Sequence, residues 1–274
     1  MSREQEGIQT DFSKDMSYGD YLQLDTLLSA QITLTNEHDE LLFIVIHQVM
    51  ELWLKLLNRE LDTSLDHLRA DELQPAFKCF ARVNRIQEQL IQAWTVLSTM
   101  TPSDYLRFRE TLGRSSGFQS WQYRLVEFKL GAKDPGKIGP HRHREDLLAK
   151  LEAALHAPSL YDETMRVLAR RGYAIPEDVL GRDLSKPHEP NEAVERVWIE
   201  IYKNSDAHFD VYELAEELVD LEDAFQQWRF RHMKTVERII GMRRGTGGSA
   251  GVGYLRHALE KSFFPELWSV RTKL

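Results

Sequence analysis

The stretch FQQWRFRHMKTVERIIGMRRGTGGSAGVG, residues 225–253, joins the end of a long helix to a glycine-rich loop. Counting back from His232, the residues Trp228, Phe225, Leu221, Leu218, Leu214 and Val211 follow at steps of three or four. Counting forward, Val236, Ile239 and Ile240 continue and widen the same stripe. One face of a 3.6-residue helix carries them all, so His232 points where the apolar residues point. A buried imidazole must hydrogen-bond, ionise against a partner or bind a metal. A core histidine satisfied by a carbonyl is the commoner outcome.

Working outward, the helix is predicted over about 207–241, some 50 Å of rod at about 1.5 Å per residue. A second strong helix is predicted over 36–60. Asn36 is its expected N-cap, and Glu37, Asp39 and Glu40 load the first turn with the charge that the helix dipole favours. His47 lies within it and shares a face with Phe43, Met50 and Leu54, so a second imidazole looks inward. Helices are also predicted over 74–100, with Trp94 in the stripe, and over 101–112. The latter starts on Thr101-Pro102-Ser103-Asp104, a threonine cap with a carboxylate three residues on. There Tyr105 and Arg109 project together, one turn apart. A polar loop containing Ser116 and Gly117 precedes a helix that ends at Gly131. Residues 132–144, AKDPGKIGPHRHR, read as the main exposed connection, with His141 and His143 solvated. Further helices are expected at 145–156, 160–171 (capped by Ser159, closed by Gly172), 176–180, 192–203 and 254–263. No strand pattern, repeat or low-complexity linker divides the chain. The fold class is all-α: a single helical domain, 18–274, behind a polar tail, 1–17. Tyr18, Tyr21 and Leu22 sit at the end of that tail and read either as a docking segment or as ordinary packing.

Composition narrows the function. There are 43 acidic against 35 basic residues, a net charge of −8, which argues against general nucleic-acid binding. The one cysteine, Cys79, permits no intrachain disulfide. It reads as a small core residue. No signal-peptide pattern opens the chain, and the longest apolar run, Leu41–Ile46, is too short for a bilayer. A cytoplasmic protein is expected.

Several chemistries are set aside. No histidine has Glu three residues before it, as a helical di-iron site needs. Zinc spacings and Gly-x-Ser-x-Gly are absent. The loop Gly245–Gly253 follows a helix and lacks the lysine of a P-loop, so it reads as a lid or a plain connection. Two inward histidines suit a heme, and Arg109 with Tyr105 suits a carboxylate ligand. The same residues suit a plain core equally well.

Five segments resemble the tryptophan 2,3-dioxygenase family. They are YGDYLQLDTLLSAQ (18–31), HDELLFIVIHQVMELWLKLL (38–57), TPSDYLRFRETLGRSSGFQSWQYRLVEF (101–128), LVDLEDAFQQWRFRHMKTVERIIGMRRGTGGSAGVGYL (218–255) and FFPELWSVRT (263–272). The combination of WRFRHM, GTGGSAGVG and SSGFQS is highly specific, and the likeness is to bacterial members. The resemblance implies a heme b enzyme, ferrous when active, that inserts both atoms of O2 across the indole C2–C3 bond of L-tryptophan. It implies His232 as the axial ligand of the iron, with Trp94, Ser116 and Gly117 at the heme rim. It implies His47 beside the indole N–H, Phe43 packed on the indole, Tyr105 and Arg109 on the carboxylate, and Thr246 at the amino-acid end. It further implies a homotetramer, a dimer of dimers, in which Tyr18, Tyr21 and Leu22 of one subunit complete the neighbour's pocket. The rival reading from another class is a non-catalytic heme-binding sensor or carrier.

Overall fold

The computed structural model describes residues 9–274; of the polar tail expected over 1–17, residues 1–8 lie outside the described residues. In chain order the helices are α1 (Tyr18–Leu22), α2 (Leu24–Leu28), α3 (His38–Arg69), α4 (Leu73–Leu97), α5 (Pro102–Phe108), α6 (Trp121–Leu130), α7 (Glu145–His156), α8 (Leu160–Arg170), α9 (Glu177–Leu180), α10 (Glu192–Lys203), α11 (Phe209–Ile240), α12 (Val252–Leu259) and α13 (Pro265–Ser269). Short 3-10 turns lie at Arg109–Leu112, Gly117–Gln119, Pro135–His141 and Val270–Thr272. Among the described residues there is no strand, and no helix is long and apolar enough to cross a membrane. The all-α expectation holds.

Two 32-residue rods, α3 and α11, set the length of the molecule at about 48 Å each. Helix α4 packs against both. Its stripe of Phe77, Phe80, Val83, Leu90, Trp94 and Leu97 is buried, and Gln87 donates across to the Leu221 carbonyl of α11 at 3.3 Å. One apolar cluster runs continuously from Ile46 to Val270, with a small satellite of Phe128, Leu151 and Leu155. Cys79 is buried, as expected.

Local chemistry sets the helix ends. Thr101 and Asp104 form the predicted capping box, and Ser17 with Asp20 and Ser159 with Asp162 form two more. Gly131 and Gly172 close their helices at positive φ, where a side chain would be strained. Three expectations need correction. Asn36 is not the cap of α3; Glu37 holds that position without a side-chain bond. Glu40 instead reaches back to the Leu34 and Thr35 amides at 2.8 and 2.7 Å. The helix also runs on past residue 60, because Leu61, Ser64, Leu65 and Leu68 extend the buried stripe and no Gly or Pro interrupts it. The third concerns 132–144, which is not simply an exposed connection. Lys133 is buried and donates to the Ala154 and Ala157 carbonyls at the end of α7, at 2.5 and 2.8 Å. His141 is buried too, whereas His143 is exposed as expected.

The C-terminal segment is sewn onto α11 by one carboxylate. Both oxygens of buried Glu222 accept backbone amides, from Phe263 at 2.8 Å and Phe264 at 3.0 Å. By contrast nothing in α1 or α2 is buried: Tyr18 is 76% and Tyr21 74% exposed. Helix α3 also presents Leu41, Val45, Val49 and Leu52, an exposed apolar stripe at helical spacing.

Candidate active site

A cavity of about 700 Å3 opens between α3, α4, α6 and α11, within the size range of small-molecule sites. Its wall is mainly apolar, with Met50, Leu54, Leu97, Trp228 and Ile239 among the lining residues. His232 of α11 and His47 of α3 both line it. Their placement follows from the stripes that bury their helices: each imidazole occupies an apolar position of a rod whose neighbours pack into the core.

His232 stacks face to face on Trp94, with centroids 4.5 Å apart and planes 7° apart, and Trp228 lies 5.4 Å away. His232 is half-buried and lines the cavity. Burial pushes its pKa down to about 3, helped by the neighbouring His47 imidazole and the Arg124 charge, and no hydrogen bond opposes the shift. His232 is therefore a neutral imidazole with a lone pair, the form in which histidine binds metals. Among the described residues no three His, Cys, Asp or Glu converge as they would around a bare ion.

His47 has its tautomer fixed. Its Nδ1 lies 2.7 Å from the Phe43 carbonyl, which can only accept, so Nδ1 carries the proton and Nε2 keeps the lone pair. Burial lowers its pKa, against the opposing pull of that hydrogen bond and of Glu51. Phe43 lies tilted against it, with centroids 4.1 Å apart and planes 37° apart, and its ring is 6.0 Å from that of Tyr105 and 5.6 Å from that of Phe108. Burial raises the pKa of the Tyr105 phenol, and Arg109 opposes the rise.

The glycine loop folds over the segment that follows α5. Arg109 donates from Nη2 to the Arg244 carbonyl at 2.9 Å, and Thr246 donates to the Ser115 carbonyl at 2.5 Å. Close approach requires glycine: a Cβ on Gly247 would meet the Ser116 side chain at 2.7 Å. Ser116 itself caps the turn Gly117–Gln119.

The structure thus brings together Phe43, His47, Trp94, Tyr105, Ser116, Gly117, His232 and Thr246 on one cavity wall. Arg109 sits at the edge, tied to the loop, with its Nε buried and without an acceptor. Tyr18, Tyr21 and Leu22 are not brought to this cavity.

Residues 3–274 match the family described as tryptophan 2,3-dioxygenase. The chain belongs to the tryptophan 2,3-dioxygenase family. Similar family members, each carrying the name tryptophan 2,3-dioxygenase, come from distant bacteria. The protein of Bacillus thuringiensis subsp. konkukian is 54% identical over 270 residues, covering 98% of this chain and 97% of its own. That of Cupriavidus necator is 56% identical over 268 residues, covering 98% and 91%. That of Paraburkholderia phytofirmans is 58% identical over 266 residues, covering 97% and 87%.

This member of the tryptophan 2,3-dioxygenase family also places residues on the cavity wall that the sequence reading passed over. Tyr123, Arg124, Glu127 and Arg229 all line it, and the three charged ones are buried. The sequence holds no clean signal for them: Arg124 and Glu127 stand at i, i+3, but with Gln122 and Lys129 beside them WQYRLVEFKL reads as an ordinary mixed helix.

Proposed function

We propose that the chain is a heme-dependent dioxygenase that cleaves the indole C2–C3 bond of L-tryptophan with O2, giving N-formyl-L-kynurenine, the first step of tryptophan breakdown through kynurenines. The observation that carries this reading is the pair of neutral histidines, from two helices, on one apolar cavity wall in a chain of this family.

The residues fit a heme b. His232 offers a lone pair with no competing hydrogen bond, and no protein ligand set stands ready for a bare ion. Four buried N–H donors of the cavity wall, on Trp94, Trp228, Arg124 and Arg229, have no acceptor in the protein. Such orphans are rare where a site is complete without a ligand. His232 would hold the iron, ferrous in the working enzyme, while Trp94, Ser116 and Gly117 would pack against the ring. When bound, the heme supplies an iron centre that activates O2, so that both oxygen atoms can enter the substrate.

The chain's own residues bind and orient the substrate. His47 Nε2 is left as an acceptor and would take the indole N–H. It need not remove that proton, because an indole N–H is far too weak an acid for an imidazole. Phe43 would pack on the indole face, held by its tilted contact with His47. Arg109 would fork the substrate carboxylate, with the Tyr105 phenol beside it. Thr246 would fix the amino-acid end. Since Arg109 and Thr246 both donate to loop-region carbonyls, substrate would exchange with those bonds as the loop settles over it.

The assembly is a homotetramer, a dimer of dimers, with Tyr18, Tyr21 and Leu22 completing a neighbour's pocket. Their exposure and the apolar stripe of α3 support this. The single buried cysteine supports a cytoplasmic setting. To test the whole reading, the heme-loaded protein is reduced, given L-tryptophan and air, and followed for the formylkynurenine absorbance. A Soret band without that product would make it a heme-binding sensor or carrier instead.

A further inference from the structure

The wall built by α6 holds a charge imbalance that packing alone does not require. Arg124, Glu127 and Arg229 are only 2%, 2% and 3% exposed, and all three line the cavity. Glu127 pairs with Arg124, with Lys137 Nζ at 3.0 Å and with Arg229 Nη2 at 3.4 Å. One negative charge therefore faces three positive ones, a surplus of two. Glu51, the other carboxylate on the wall, accepts from Gln122 at 2.8 Å and makes no ion pair with Arg124, Arg229 or Lys137, whose carboxylate partner is Glu127. Buried charge without a counter-charge is strongly disfavoured, so a surplus of this kind points to an anionic ligand.

The two arginines differ in what remains free. Arg229 also donates to the Ala258 and Lys261 carbonyls, at 3.0 and 3.2 Å, and lies on the Phe225 and Phe263 rings. It is largely engaged in pinning the end of α12. Arg124 is held against the rings of Phe118 and Tyr123, at 4.8 and 4.9 Å. Beyond Glu127 it has only a long bond to the Phe118 carbonyl, at 3.4 Å, and its Nε has no acceptor. A planar guanidinium, immobilised by aromatic faces and with an N–H unmatched, is a preorganised carboxylate receptor.

We propose that Arg124 receives a carboxylate arm of the heme, and that this arm neutralises the surplus positive charge of the Arg124–Glu127–Arg229–Lys137 cluster. The inference rests on the heme reading above, and goes beyond it in naming what anchors the cofactor's acidic edge. The competing account is a purely structural lattice that staples α6 to α11.

Hemin dimethyl ester separates the two, because it keeps the ring and the iron but lacks both negative charges. Protein loaded with hemin, or with the ester, is mixed with excess apomyoglobin, and the rate of cofactor loss is read from the Soret region. The wild type should lose hemin more slowly than the ester, on the order of tenfold, as one charge-assisted hydrogen bond implies. Arg124→Gln should abolish that preference while losing the ester at close to the wild-type rate; Arg124→Lys should restore part of it. Glu127→Gln, which removes the internal competitor, should widen the preference. An Arg124→Gln variant that keeps the preference, or that loosens hemin and ester alike, overturns the proposal. A wild type that retains hemin and makes formylkynurenine yet shows no preference overturns it too, leaving the dioxygenase reading standing. A wild type that takes up neither cofactor overturns both.

Discussion

On the proposed reading, two histidines divide the site's work between them. Replacing His232 with Ala should abolish heme retention and with it turnover, while His47→Ala should keep the Soret band and a reduced rate. Heme content per subunit and product formation measure both; full activity in His232→Ala would sink the ligand role. Arg109→Ala should lower kcat/KM by about 2–5 kcal/mol, because a buried carboxylate would lose its charged partner; unchanged saturation with L-tryptophan would refute it. The positions of these side chains were legible from spacing, since an imidazole or phenol on an apolar stripe announces that it points inward. Arg124 and Glu127 were not, because charged residues on a helix read as the solvent side. The packing of α6 against α3 and α7, with Arg229 of α11 on Glu127, goes with their burial, and no local pattern encodes that.

At the scale of the element, the glycine loop and its hinges carry the most exposed prediction. Gly251 has φ 58° and ψ −125°, and a Cβ there would meet the Arg243 carbonyl oxygen at 2.5 Å. Gly251→Ala adds backbone strain of about 1–3 kcal/mol to the closed loop. KM for L-tryptophan should rise several-fold or more while heme content stays level; a variant with wild-type KM would show that loop geometry is irrelevant to substrate capture. Helix starts were readable where capping chemistry is local, as at Thr101 and Ser159. Asn36 misled because the carboxylate of Glu40 turns back on the preceding strand of loop and makes Glu37 the boundary. The end of α3 misled because a mixed-charge sequence, NRELDTSLDHLR, hides a buried face that only its partners reveal.

Across the whole molecule, the all-α architecture was plain from periodicity, yet which helices meet was not. That α4 separates the two long rods, or that Glu222 ties down Phe263 and Phe264, depends on contacts between residues far apart in the chain. Assembly is where the sequence reading and the exposed surface meet. Val45 and Val49 stand on the exposed stripe of α3, close to Gln48, which donates to the Ala30 carbonyl at 3.0 Å. In the proposed tetramer this stripe is a subunit contact, so replacing both valines with Asp would place two charges there, at a cost of several kcal/mol if buried. Sedimentation should then show a species smaller than a tetramer, with lower activity per heme. A full-sized tetramer would place the contact elsewhere.

The stack of Trp94 on His232 has an optical consequence. Trp94, Trp121 and Trp228 line the cavity, half of the chain's six tryptophans. A heme seated among them would absorb where indoles emit and drain their excited states. Intrinsic fluorescence should therefore fall steeply as the site fills, giving a label-free gauge of occupancy. Trp94→Phe should remove the emitter that touches His232 and flatten the response.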